Sequence, residues 1–200
     1  VISGTGALTK DTDTSSVLTL SNTNTYTGVT TINAGTISVG TIGDGGVAGN
    51  LGQATNASTN IVLGGGTLKY TGSTATSNRA FTITAGTTVT IDVPTGVTLT
   101  LAGATGTTTT GALTKTNSGT LNLSGVNTYT GTTTISAGTL AITGSGSLNS
   151  GSYAGSIVDN ATFIYSSSAT QTLSGVISGT GALTKDTDTS SVLTLSNTNT

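Results

Sequence analysis

Residues 1–25, VISGTGALTKDTDTSSVLTLSNTNT, return without a single change as residues 176–200. Val1 corresponds to Val176, Lys10 to Lys185 and Thr25 to Thr200, which sets a unit of 175 residues. A chain that re-enters its own beginning reads as one full tandem unit, 1–175, followed by the start of the next identical unit, 176–200. Active sites seldom need copying at such an interval, whereas a filament or stalk gains length with every copy.

A second repeat lies within the unit. Gly6-Ala7-Leu8-Thr9-Lys10 recurs as Gly111-Ala112-Leu113-Thr114-Lys115 and again as Gly181-Ala182-Leu183-Thr184-Lys185. Downstream, Asn24-Thr25-Tyr26-Thr27-Gly28 matches Asn127-Thr128-Tyr129-Thr130-Gly131, and Ile32-Asn33-Ala34-Gly35-Thr36-Ile37 matches Ile135-Ser136-Ala137-Gly138-Thr139-Leu140. The offset is 105 residues at the lysine and 103 from Leu121 onward, so a loop between Lys115 and Leu121 is two residues shorter.

Between these landmarks the pattern has period two. Val17-Leu18-Thr19-Leu20, Phe81-Thr82-Ile83-Thr84, Val89-Thr90-Ile91 and Val97-Thr98-Leu99-Thr100-Leu101 alternate aliphatic with hydroxyl side chains. That alternation predicts short strands with one face inward. Gly, Asn, Asp and Ser punctuate them, residues that accept sharp corners. No segment sustains helical spacing.

Composition agrees. Charged residues make up 6% of the chain, with 30 Gly, one Pro and no Cys, Met, Trp or His. Thr fills about a quarter of it, and Thr is a good strand former. A formal charge of −2 and a few scattered cations exclude a phosphate-binding patch, so no nucleic-acid partner is expected. No apolar run approaches the roughly 20 residues of a membrane-spanning helix. The absence of Met points to a segment of a longer chain.

Two β architectures compete. A sandwich of antiparallel hairpins ends after about 100 residues. A parallel solenoid covers each exposed strand edge with the next rung and continues as long as the gene does. Tandem duplication favours the solenoid. With roughly seven to nine rungs at about 4.8 Å each, one unit is about 35 to 43 Å long.

The run Leu113-Thr114-Lys115-x-x-Ser118-Gly119-Thr120-Leu121-x-Leu123-Ser124-Gly125-x-Asn127-Thr128-Tyr129-Thr130-Gly131-x-Thr133-x-Ile135-x-Ala137-Gly138-Thr139-Leu140 resembles the autotransporter-associated β-strand repeat, also called the passenger-associated transport repeat. Leu8 to Ile37 is a looser copy, and a third is cut off at Thr200. The resemblance implies a right-handed parallel β-helix in the passenger of a type V secreted bacterial protein, beyond the outer membrane or secreted. It further implies an outer-membrane translocator barrel in the parent chain.

Candidate sites are few. Asp11 and Asp13, repeated as Asp186 and Asp188, form a local carboxylate pair compatible with a weak Ca²⁺ site, but a good site needs six to eight oxygens, and a solvated turn is the preferred reading. Gly43-Asp44-Gly45-Gly46 faintly resembles calcium-binding Gly/Asp repeats without their period. Without His or Cys no Ser-His-Asp triad or thiol nucleophile can be assembled. An Asp pair drawn from Asp44, Asp92 and Asp159 would be the remaining hydrolytic option. Tyr26 and Tyr129 read as corner residues that pack their rings on the core and wet their hydroxyls, rather than as sugar-stacking aromatics. Arg79 reads as a turn cap or a residue along the shaft. Asn56-Ala57-Ser58 matches a glycosylation sequon.

Thr-x-Thr pairs at Thr25/Thr27, Thr82/Thr84, Thr98/Thr100 and Thr128/Thr130 raise ice binding as a rival, provided that one pair stacks per rung at constant register. The expectation is a non-enzymatic stalk repeat of a surface adhesin, with no catalytic, cofactor or metal residues. Its partners are adjacent identical repeats and, through the polar rows, other shafts. Adhesion by the shaft itself is the runner-up.

Overall fold

Short alternating strands have one apolar face each, and three such strands per turn can enclose a core without any helix. The structure, a computed structural model, describes residues 1–186 and 191–200. Every pairing between its strands is parallel, and partners lie about one coil apart in sequence, as Leu99↔Leu121 and Leu140↔Phe163 illustrate. The molecule is therefore a β-solenoid of about eight turns, and the hairpin-linked sandwich is excluded. Among the described residues there is no α-helix; a 3₁₀ turn at Ser58–Asn60 and an irregular turn at Asn149–Gly151 interrupt the strands.

Three sides enclose the core. The second side is the most regular, an eight-stranded sheet running through Val17–Leu20, Thr36–Val39, Thr67–Tyr70, Thr88–Asp92, Ala112–Thr116, Thr133–Ile135, Ile157–Asp159 and Ile177–Ser178. The third side is a six-stranded sheet of Ala75–Ser77, Thr98–Leu101, Thr120–Leu123, Thr139–Gly144, Thr162–Ser167 and Ala182–Lys185. The first side opens with Leu8–Lys10, Thr30–Ile32, Ile61–Leu63 and Thr82–Ile83. It continues less regularly: the Gly106 amide donates to the Phe81 carbonyl, the Thr105 amide donates to Val126, and Thr109 bridges Tyr129. Val126–Asn127 then pairs with Ser147–Leu148, and Ser152–Tyr153 with Gln171–Leu173, which pairs with Leu193–Leu195.

Register stacks like on like. Leu99, Leu121, Leu140 and Phe163 form one inward column, each fully buried. Each such side chain contributes about 1.5 to 3 kcal/mol on burial. Outward, Thr36, Thr67, Thr90, Thr114 and Thr134 form an unbroken row on the second side. One outward pair of opposite charge stands in register, Lys69 with Asp92. That arrangement avoids the like-charge stacking that costs stability between neighbouring strands.

Corners carry the shape. Gly35 and Gly138, in the recurring Ala-Gly-Thr, have φ of +67° and +70°. A Cβ on Gly138 would lie 2.3 Å from the Gly119 carbonyl oxygen of the rung below. Only glycine satisfies both the left-handed backbone and that approach.

Candidate functional site

Corners and one excursion hold the polar groups that the core cannot. In Leu113-Thr114-Lys115 the lysine has the parity of the inward leucine, and it is paired with Ile91 and Ile135. Its side chain is fully buried, and its Nζ donates to the carbonyls of Thr116 and Asn117 at 2.7 Å and Ala137 at 3.3 Å. Desolvation pulls its pKa down to about 8, against a smaller opposing pull from Asp92. Lys10 repeats the arrangement, reaching the Asp13 carbonyl at 3.0 Å. In these two copies the lysine is thus an internal corner tie, a role that the reading of scattered cations did not assign.

The recurring tyrosines are buried to the hydroxyl, which corrects the expectation of a wetted tip. Tyr26 shares a hydrogen bond of 2.7 Å with the Thr30 hydroxyl. Tyr129 is bonded to Thr133 at 3.0 Å, and the same Thr133 hydroxyl meets Tyr153 at 2.8 Å. Tyr153 also donates to the Gly131 carbonyl, and the two rings meet edge to face at 5.8 Å. Burial pushes the Tyr129 phenol well above its ordinary pKa and that of Tyr153 up to about 12. A phenol that neither faces solvent nor ionises supplies structure, not a sugar platform.

Residues 40–57 leave the strand pattern where the second turn would place its third-side strand. Arg79 holds this excursion from within. It is 2% exposed, and Nη2 donates to the Gly52 carbonyl at 2.8 Å and to Val47 at 3.4 Å. Nε reaches Ile42 and Gly43 at 3.2 Å, and Nη1 reaches Ala54 at 3.3 Å. Asn50 Oδ1 accepts from the amides of Gly40 and Thr41, while the Asp44 and Asn78 side chains accept from the amides of Asn78 and Gly45. Arg79 is a loop cap, as one sequence alternative had it, but an internal one.

The carboxylates do not assemble. The Asp13 carboxylate accepts from the Ser15 amide and hydroxyl, both at 2.8 Å, which lowers its pKa, and Asp11 accepts from the Thr12 amide. Both are consumed in their own turn. Asp188 of the second copy lies outside the described residues. Asp44 is engaged in the excursion. Asp92 is outward and Asp159 is buried in the inward register three rungs on, about 14 Å away. That exceeds the roughly 5 to 9.5 Å of a glycosidase pair. Among the described residues, no three acids, His or Cys group as metal ligands. Asn56 of the sequon is exposed on the excursion.

Thr-x-Thr pairs fail the register test. Thr98/Thr100 sits on the third side, Thr82 on the first, and Asn122 follows Thr100 in its row, so no face carries one pair per rung. Hollows open at the two ends instead. One of about 280 Å³ is lined by Ile177, Leu183, Leu195 and Asn199, and one of about 180 Å³ by Val1, Ile2, Leu18 and Leu20. They are bare ends of the core.

A parallel solenoid tied at its corners by recurring lysine, tyrosine and glycine defines a rod-forming repeat. The family model of the passenger-associated transport repeat matches residues 15–39 and 113–142. The chain is also similar to the adhesin BmaC autotransporter of Brucella suis biovar 1 (strain 1330), 36% identical over 118 residues. The match covers 59% of this chain, and the chain spans 3% of the length of that protein. No solved structure matches it.

Proposed function

We propose that this chain is a non-enzymatic stalk repeat in the passenger of a large bacterial surface adhesin, holding a distal binding region away from the cell. One observation carries the reading: the two segments that match the transport repeat are built seamlessly into one continuous parallel solenoid. The similarity to an autotransporter adhesin supports display at the cell surface or secretion, and a translocator barrel in the parent chain.

The test varies the number of 175-residue units in the surface-displayed parent protein. Each unit should lengthen the projection seen by electron microscopy by about 37 Å, from the rung spacing. The 200-residue segment alone should bind neither host cells nor a glycan array. Binding by the isolated segment at the level of the whole protein would transfer adhesion to the shaft and overturn the reading.

A further inference from the structure

The three copies of Gly-Ala-Leu-Thr-Lys do not sit on the same side. The strand Leu8–Lys10 belongs to the first side, Ala112–Thr116 to the second and Ala182–Lys185 to the third. The strands that follow step in the same way: Val17–Leu20 on the second, Thr120–Leu123 on the third, and Leu193–Leu195, sequence copy of Leu18–Leu20, back on the first. Each copy is therefore one side further around the rod than the last.

The described residues of 176–200 repeat two contacts of residues 1–25 despite the different side. The Ile2 amide donates to Asn24 Oδ1 at 2.8 Å, and the Ile177 amide to Asn199 Oδ1 at 2.8 Å. The Thr25 amide donates to the Ile2 carbonyl at 2.9 Å, and the Thr200 amide to Ile177 at 3.0 Å. Local structure is set by the sequence; the side it occupies is set by the number of strands beneath it.

Counting strands gives the rotation. The first unit starts on the first side of the first turn, and the second unit's matching strand is on the third side of the eighth. One unit thus advances one side short of eight turns. At the C-terminal end Leu195 is 43% exposed, whereas its copy Leu20, roofed by Val39, is 4% exposed.

We infer that successive tandem units are each turned by one side of the three-sided rod, so that orientation is restored only at every third unit. The excursion 40–57 then projects from a different side in each of three consecutive units. Its second-copy counterpart moves from the third side to the second, and the next to the first. The array has no preferred flank, and whatever meets the excursion laterally meets it from three directions. This inference rests on the stalk reading for its array, but not for the orientation at the junction, which the present chain already contains.

The chain has no Cys, so engineered pairs report cleanly. In the 200-residue chain, Thr162→Cys with Ala182→Cys should form an intramolecular disulfide, because the two positions are directly paired on the third side. Thr172→Cys with Thr184→Cys should not, since Thr172 pairs with Thr194. The reverse outcome overturns the rotation. For the array, six tandem units carrying Gln53→Cys, on the exposed part of the excursion, are labelled with gold clusters and imaged by cryo-electron microscopy. Labels on three sides, repeating every third unit, are expected. Labels along one flank of an intact rod overturn the inference and leave the stalk reading standing. Failure to form rods overturns the stalk reading, while the disulfide pair still decides the junction.

Discussion

Removing the Arg79 guanidinium should release the excursion while leaving the rod intact. Five carbonyls receive its N–H groups, but only the bond to Gly52, at 2.8 Å, is short; the other four lie between 3.2 and 3.4 Å. A hydrogen bond to a charged group contributes about 1.5 to 3 kcal/mol net. Giving Gly52 about 2 kcal/mol and each long contact about half a kcal/mol puts the gross stabilisation near 4 kcal/mol. Arg79→Ala also relieves the desolvation that depresses the guanidinium pKa, so the net loss should be about 2 to 3 kcal/mol. The loss is local, because all five acceptors lie within residues 40–57, while Ile42 and Leu51 in the core and the main-chain bonds of Gln53 to Tyr26 and of Gly49 with Asn24 still hold the segment to the solenoid. Hydrogen exchange should accelerate roughly 30- to 150-fold at the amides of Gly46 and Gly52, with the strands Thr98–Leu101 and Thr120–Leu123 unchanged. Arg79→Lys, with three donors and no planar fork, should recover only part of the protection. Unchanged exchange across 40–57 in Arg79→Ala would falsify the cap.

Gly138→Ala should destabilise the rod by about 2 kcal/mol or more, through a strained left-handed backbone and a clash with the Gly119 carbonyl, read as a lower urea midpoint. Tyr129→Phe should cost about 1 kcal/mol, since Thr133 keeps Tyr153; Thr133→Val should cost about 2 to 3, since both phenols lose that partner. Equal losses in the two variants would contradict the shared network. Lys115, with its pKa near 8 in the fold and 10.5 outside it, binds its proton more tightly when unfolded between those values. Stability should therefore rise from pH 8 to about 9.5, then fall above pH 10 as unfolded tyrosines ionise before the buried Tyr129 and Tyr153. Lys115→Met should abolish the rise in urea titrations across that range.

Strands and their inward faces were legible because alternation has a fixed meaning on an extended chain: Leu99, Leu121 and Leu140 point inward as their parity requires. The same parity places Lys115 with Leu113, so its burial was readable in principle; the habit of treating lysine as a surface residue obscured it. Tyr129 lost its expected water because Thr133, one corner later, supplies a hydroxyl inside. That pairing depends on how the corner folds back, which spacing alone does not give. Arg79 had no signal. Its partners are main-chain carbonyls up to 37 residues away, in a segment without periodicity. The stepping of copies around the rod was hidden for a different reason, since offsets of 105 and 103 residues convert to sides only once every rung length is known.

All rungs of this rod are joined by hydrogen bonds that run along its axis. A pull from end to end therefore loads those bonds in series, and the outermost rung can peel before its neighbours feel any loss. Peeling one coil of about 22 residues gives up roughly 4.8 Å of height and pays out some 70 Å of extended chain. Under sudden tension such a stack of coils would lengthen many-fold at nearly constant force, dissipating the load, and rewind from the surviving edge when the tension drops.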